Sequence, residues 1–217
     1  MRDNEEIRYV DLDDLLFILA LDFPVILLAV ILKYFGLNSD SINAFLLIPL
    51  SVITIWGFHL SLKKKDHGIG LWFRISSFGP DLIWSIITFP AIFGVYILMN
   101  FMTSFIWGRN DANVILMNPN EIIAVISLGL FFPVMEEVIF RGAIYEYIKR
   151  FYSPEFSMVL TSIAFAVVHP FEQWMKIFVF GMLLNLLYYK RGTLTVSSTV
   201  HVMINLIYIS FFYLPRG

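Results

Sequence analysis

Two adjacent carboxylates lie inside an otherwise apolar stretch of this chain, FFPVMEEVIFRGAIYE, which runs from Phe131 to Glu146. Residues four apart share one face of an α-helix, so Glu137 can pair with Arg141. Adjacent residues are separated by about 100° of rotation, so Glu136 cannot face the same arginine. The spacing therefore predicts an ion pair between Glu137 and Arg141 and leaves Glu136 pointing elsewhere, desolvated and beside a like charge.

Two histidines and an asparagine follow in later apolar stretches. FAVVH ends at His169, and HVMIN places His201 and Asn205 four residues apart, again on one helical face. Glu136 is a candidate base for activating a water, and His169 could hold that water or pass its proton to a leaving amine. His201 and Asn205 would then donate hydrogen bonds to an oxyanion that develops on a peptide carbonyl.

The elements that must position these residues are predicted to be membrane helices. Of the 217 residues, 59% are hydrophobic and 15% are charged, against roughly 45–50% and about 25% in soluble domains. A bilayer core takes about 20 apolar residues as a helix, and its backbone must be hydrogen-bonded internally. The long apolar runs do not alternate as barrel strands do. We therefore predict an all-α, polytopic helical membrane bundle.

The apolar runs predict about seven transmembrane helices. Their predicted ranges are 15–36, 42–62, 82–107, 121–140, 155–170, 174–189 and 193–214. The polar break HPFEQW between the fifth and sixth leaves open a single bent span with a re-entrant piece. We expect one integral-membrane domain over 1–217, with a catalytic core at 121–210 and a polar N-terminal arm at 1–14.

Charge and cysteine content exclude several classes of function. No cysteine is present, which removes disulfides, thiolate metal sites and a cysteine nucleophile. The net charge is −2 and the longest basic run is KKK at 63–65, so we predict no nucleic-acid partner. The N-terminal residues lack the basic region and cleavage site of a signal peptide, so the first apolar run is predicted to be a retained span.

The basic residues also predict an orientation. Cytoplasmic loops carry an excess of Lys and Arg, and three clusters, KKKDHGIGLWFR, RGAIYEYIKR and YYKRG, fall on one side of the predicted bundle. The opposite loops near Ser39 and at 109–120 hold one basic residue, Arg109. This pattern predicts a cytoplasmic N-terminus and a C-terminus on the other side.

Three other interpretations of the polar residues remain open. Glu136, His169 and His201 form a Glu-plus-two-His set that resembles hydrolytic zinc sites, although the chain lacks an HExxH motif. The same three groups could form the relay of a proton-coupled transporter, although we find no inverted repeat. Polar side chains that merely tie helices together would suit a catalytically silent scaffold or a bacteriocin-immunity protein.

The motifs also resemble those of a known family. EEVIFRG (136–142), FAVVH (165–169) and HVMIN (201–205), with FGMLLNLLYYKRGTL (180–194) before the last, are similar to the motifs of the CPBP family over about residues 121–210. This family comprises CAAX-processing and bacteriocin-processing intramembrane proteases, formerly called Abi proteins, and includes type II CAAX prenyl endopeptidases.

The resemblance implies an intramembrane endopeptidase whose site opens toward the cytosol. Glu136 and His169 would activate water, His201 and Asn205 would stabilise the oxyanion, and Glu137 and Arg141 would support the site. The substrate would be a membrane-associated peptide or a lipidated protein C-terminus, in the cell membrane of a prokaryote. Some members have been called metalloproteases and others glutamate-dependent; we favour the metal-free mechanism and keep Zn²⁺ as the alternative.

One geometric feature requires an adjustment of the predicted helices. At 1.5 Å per residue, His169 would lie about 24 Å and His201 about 12 Å from the cytosolic starts of their helices. The two histidines can meet only if one helix tilts, bends or starts deeper in the protein.

Overall fold

The computed structural model describes residues 10–34, 40–63, 72–74, 77–108 and 125–212. Within these ranges the chain forms seven helices and no strand, which confirms the all-α class. They are α1 Leu12–Tyr34, α2 Asp40–Lys63, α3 Phe78–Trp107, α4 at residues 125–148, α5 Pro154–Val167, α6 Trp174–Arg191 and α7 Leu194–Phe212. A short 3₁₀ turn, Phe171–Gln173, joins α5 to α6.

Each predicted span corresponds to one of these helices. The HPFEQW break separates two helices, α5 and α6, which pack along each other, so the single bent span does not form. Helix α4 continues past the predicted end of the fourth span at Phe140 and ends at Ile148. The polar side chains in this extension include Arg141 and Glu146, and both are buried. Residues 121–124 and most of the N-terminal arm lie outside the described ranges.

The helix that carries the two glutamates is not a uniform α-helix. Two π-helical segments, Ser127–Phe131 and Val138–Tyr145, flank the α-helical segment Phe132–Glu137. The amide of Phe132 donates to the carbonyl of Ser127, the i to i+5 pattern of a π-helix. The next carbonyl, that of Leu128, would require the amide of residue 133, which is a proline and has no N–H. The carbonyl of Leu128 can therefore accept a hydrogen bond from a group outside the helix.

Helix α7 begins inside the protein. The carbonyl of Trp72 accepts hydrogen bonds from the amide of Leu194, at 2.7 Å, and from the hydroxyl of Thr193, at 3.1 Å. All six residues from Thr193 to Ser198 are buried. The segment around Trp72 thus covers the start of α7, and His201 lies deeper than its distance from the preceding loop suggests.

Helix α3 is the element of the described chain that is long and apolar enough to cross a membrane. Its outer face exposes large apolar side chains, including Ile86, Ile87, Phe101 and Phe105. Its N-terminal turn is fixed to the bundle, because buried Asp81 accepts two hydrogen bonds from Arg191, at 2.7 and 3.1 Å. This helix therefore combines an apolar surface with a polar anchor at one end.

Trp72 is expected to be required for stability. Its ring is buried between Phe58 and Tyr188, with ring centroids 5.4 and 6.4 Å away. We expect Trp72→Ala to destabilise the protein by several kcal/mol, because large-to-small changes of a buried tryptophan commonly cost about 3–5 kcal/mol. The free energy of unfolding in detergent measures this loss. The matched control is Trp56→Ala, since the Trp56 side chain is 61% exposed. Equal losses of stability for the two variants would contradict a special role for buried Trp72.

Candidate active site

The ion pair predicted from the sequence forms at the centre of the bundle. Arg141 Nη1 lies 2.9 Å from Glu137 Oε1, and both side chains are fully buried. Arg141 Nη2 donates to the carbonyl of Gly181 on α6 at 3.1 Å, and the guanidinium lies over the ring of Phe165 on α5, 4.7 Å from its centroid. The arginine thus connects α4, α5 and α6 through one buried charge.

The backbone of α6 comes close to the neighbouring side chains at Gly181, where it meets this arginine. A Cβ placed on Gly181 would lie 3.2 Å from the ring of Phe165 and 3.3 Å from Ser162. The ring could not easily move, because it also packs against Phe140, with centroids 4.9 Å apart. The absence of a side chain at Gly181 therefore lets its carbonyl reach the guanidinium.

His201 is oriented by the same carboxylate. Its Nδ1 lies 2.9 Å from Glu137 Oε1, and a carboxylate paired with an arginine can only accept, so Nδ1 carries the proton. In the neutral ring the lone pair then resides on Nε2. The ring of Phe180 packs on the imidazole at 5.1 Å. These contacts fix both the orientation of the ring and the nitrogen that faces the site.

His169 is oriented in an equivalent way by the backbone. It lies just beyond the end of α5, and its Nδ1 is 2.7 Å from the carbonyl of Phe165, one turn earlier. Because a carbonyl can only accept, Nδ1 donates and Nε2 carries the lone pair. The indole of Trp174 donates to the carbonyl of His169 at 2.8 Å, which fixes the turn between the two helices.

Glu136 faces both lone pairs. Its Oε1 lies 3.8 Å from His169 Nε2, its Oε2 lies 3.6 Å from His201 Nε2, and its side chain is almost completely buried. These distances exceed a direct hydrogen bond of about 2.7–3.2 Å. This arrangement suits a shared hydrogen-bond donor between the carboxylate and the two nitrogens, and polar contacts of this length are commonly bridged by water.

Asn205 lies one turn beyond His201 on α7. Its Nδ2 donates to the carbonyl of Leu128 at 3.2 Å, which is the carbonyl that Pro133 leaves without a helical partner. The side chain thus fastens α7 to the π-helical start of α4. One amide hydrogen and the amide oxygen take no part in this bond, and its role toward an oxyanion stays a prediction.

The structure brings five of the six predicted site residues into one contact network. These are Glu136, Glu137, Arg141, His169 and His201, from α4, the end of α5, and α7. Among the described residues, no group of three or more His, Asp or Glu side chains is arranged to hold a metal ion. The candidate ligand set of Glu136, His169 and His201 is not among such groups in this arrangement, and the mechanism proposed for this protein uses no metal.

Sequence reasoning missed the aromatic and glycine residues that support the network. Phe165 contacts Arg141 and both histidines, with its ring centroid 4.9 Å from that of His169 and 6.0 Å from that of His201. The sequence shows that Phe165 lies one helical turn before His169. It contains no signal that distinguishes this phenylalanine from the others in the apolar stretches. Gly181 and Phe180 are likewise indistinguishable from ordinary helix residues until α5 and α6 are packed.

Comparison with known proteins agrees with the motif resemblance. Residues 118–207 match the family described as type II CAAX prenyl endopeptidase, Rce1-like. This match covers less than half of the chain. The match contains all six predicted site residues, and its bounds are close to those of the predicted core at 121–210. It confirms the family resemblance that the motifs indicated. No curated protein and no solved structure matches the chain. Similarity to this family suggests a membrane peptidase.

The two adjacent glutamates are expected to differ in their effect on stability. Glu137→Ala would leave Arg141 buried without its carboxylate, and breaking one side of a buried ion pair typically costs about 3–5 kcal/mol. Glu136→Ala removes a buried carboxylate whose closest polar contacts are 3.6 and 3.8 Å, so stability should be unchanged or higher. Thermal unfolding of both variants in detergent measures the difference. Equal destabilisation by the two substitutions would contradict these separate roles.

Proposed function

We propose that this protein is an integral-membrane endopeptidase that hydrolyses a peptide bond of a membrane-associated peptide or lipidated protein C-terminus. The observation that supports this proposal is the position of Glu136 between two imidazole nitrogens. In each imidazole the Nδ1 proton is used in a hydrogen bond away from Glu136. His201 donates to Glu137, and His169 donates to the carbonyl of Phe165. Both rings therefore present their basic nitrogen to the carboxylate, which suits the capture and deprotonation of one water.

The hydrolysis proceeds by general base catalysis. Glu136 takes a proton from the water while its oxygen forms a bond to the substrate carbonyl carbon, and His169 Nε2 accepts the second O–H to orient it. The carbonyl becomes an oxyanion. When it collapses, the C–N bond breaks and the leaving amine receives the proton held by Glu136. The carboxylate and the neutral imidazole are thereby restored.

The buried ion pair supports the second histidine. The neutral His201 ring offers a lone pair at Nε2, so it would donate to the oxyanion only after it takes up a second proton there. Glu137 lies 2.9 Å from Nδ1 and would pair with the resulting imidazolium, while Arg141 holds Glu137 in place. Asn205 would add a second donor through its remaining amide hydrogen, as oxyanion sites commonly use several aligned donors.

A polytopic arrangement in the membrane suits this chemistry. The predicted spans each correspond to a helix, and α3 exposes an apolar face of membrane length. Ionisable side chains in a membrane domain face the interior or a water-filled cavity, and the site residues meet this condition. In this proposal the loops after α2, α4 and α6 face the cytosol, with the N-terminus.

Cleavage by the purified full-length protein tests the mechanism. The substrate is a farnesylated peptide ending in a CAAX sequence, and the product is measured by mass spectrometry. We expect Glu136→Gln and His169→Ala each to lower the rate by roughly 10²–10⁴-fold, the usual contribution of general acid–base groups. The control is Glu172→Gln, an exposed glutamate beyond the site, which should retain full activity.

The same assay carries a chelator arm. In the metal-free mechanism a chelator leaves the rate unchanged. Full activity of Glu136→Gln would overturn the proposed role of this carboxylate. Loss of activity with chelator and recovery with Zn²⁺ would replace the mechanism by a metal-dependent one.

The proposed orientation is tested by labelling. Because the chain has no cysteine, single substitutions give an unambiguous signal. Glu155 and Glu172 are both exposed and lie at opposite ends of α5 and its following turn. We expect a membrane-impermeant maleimide to label Glu172→Cys in intact cells and Glu155→Cys only after the membrane is opened. The reverse pattern would invert the orientation, and labelling of both in intact cells would contradict a spanning α5.

A further inference from the structure

Trp174, the first residue of α6, is hydrogen-bonded to the backbone of a candidate catalytic residue. Its indole nitrogen donates to the carbonyl of His169 at 2.8 Å. The proposed mechanism uses only the ring of His169. Whether the indole contributes to that mechanism depends on what else holds the backbone of this histidine in place.

His169 lies outside the regular part of α5. The helix ends at Val167, and the amide of His169 donates to the carbonyl of Ala166 at 3.0 Å, the tighter i to i+3 pattern. Pro170 follows, and a proline disfavours the helical conformation of the residue before it. A continuing α-helix would direct the amide of Gln173 to the carbonyl of His169, but this amide donates to Pro170 at 2.9 Å. The indole of Trp174 takes its place.

The indole is itself held by neighbouring aromatic rings. The ring of Trp174 packs edge-on against that of Phe171, with centroids 5.0 Å apart, and Phe171 packs in the same way against Trp107 at 5.4 Å. Trp107 is the last residue of α3. A row of three rings therefore connects the end of α3 to the turn after His169, and both α3 and α6 determine where the indole N–H lies.

The backbone of His169 controls the position of its reacting nitrogen. The ring donates through Nδ1 to the carbonyl of Phe165 at 2.7 Å and presents Nε2 to Glu136 Oε1 at 3.8 Å. Histidine has a short, stiff side chain, so a shift of its backbone moves the whole ring. Such a shift matters for the rate, because a misplacement of about 1 Å in a reacting group can cost roughly 100-fold.

We propose that Trp174 is a positioning residue for the hydrolysis: its indole N–H holds the backbone of His169 so that Nε2 faces the water at Glu136. This inference rests on the proposed endopeptidase function. Trp174 acts through His169 and needs no contact with the substrate. Its contribution therefore belongs to the chemical step and not to substrate binding.

Substitution of Trp174 by phenylalanine tests the proposal. Trp174→Phe removes the N–H and keeps an aromatic ring beside Phe171. With the farnesylated CAAX peptide, we expect kcat to fall roughly 10–100-fold and KM to change less than about twofold, as for an interaction that serves only the transition state. Trp107→Phe is the matched control, since it keeps the row of rings and the indole of Trp174, and it should retain the wild-type kcat. An unchanged kcat in Trp174→Phe, or an equal loss in the two variants, would overturn the proposal.

A double-mutant cycle separates positioning from a general structural role. Because Trp174 acts through His169, adding Trp174→Phe to His169→Ala should lower the rate no further. A structural role would lower the rate by the same factor in both backgrounds, and that result would contradict the proposal. The Trp174 side chain is exposed, so we expect Trp174→Phe to fold, and thermal unfolding in detergent gives the folded fraction by which each rate is divided.

Nitrogen NMR of the imidazoles distinguishes this inference from the function on which it rests, because it requires no cleavage. The signals of His169 and His201 are assigned by their loss in the two alanine variants of the isotope-labelled, full-length protein. We expect Trp174→Phe to shift the His169 signals and to leave those of His201, whose Nδ1 donates to Glu137, unchanged. Trp107→Phe should shift neither.

The two readouts fail separately. A shift of the His169 signals in a protein that cuts no peptide would keep the contact with Trp174 and remove the endopeptidase. Cleavage by the wild type, with His169 signals that do not move in Trp174→Phe, would keep the endopeptidase and remove the positioning role.

Discussion

The arrangement of the site depends on one buried ion pair. Arg141 and Glu137 are both fully buried, and such a pair survives desolvation only when further hydrogen bonds satisfy its remaining groups. Here the additional partners are the carbonyl of Gly181 and the imidazole of His201. Every one of these contacts joins α4 to a different helix. The ion pair therefore determines how α4, α6 and α7 approach one another. Glu136 is not part of this pair and faces the two histidines instead.

The irregular geometry of α4 is a second condition for the site. The π-helical turns on both sides of the glutamates interrupt the ordinary hydrogen-bond ladder, and Pro133 removes the one amide that would reach the carbonyl of Leu128. Asn205 supplies the replacement donor. Interrupted helices of this kind occur often at functional sites. In this protein the interruption couples the polar face of α7 to the helix that carries the carboxylates.

Part of the site followed from helical periodicity. The pairing of Glu137 with Arg141 and the separate direction of Glu136 needed only the rotation per residue, and the structure contains both. The contact between His169 and Phe165 also follows from a spacing of four. Periodicity could not reveal that α7 starts beneath Trp72, because this depends on a segment more than a hundred residues earlier. Nor could it place Gly181 and Phe165 at the guanidinium, since these contacts exist only after α5 and α6 are packed.

The sequence by itself determined the helical class, the approximate helix positions and the identity of the polar residues. It did so because hydropathy and a spacing of four are local properties of the chain. Only the tertiary structure decided which nitrogen of each histidine faces Glu136, since that choice depends on the acceptor at Nδ1. For His201 the acceptor is a carboxylate 64 residues away. The tertiary structure also decided the burial of Lys176. This burial results from contacts with residues of α3 and α7 and not from any pattern in the sequence of α6.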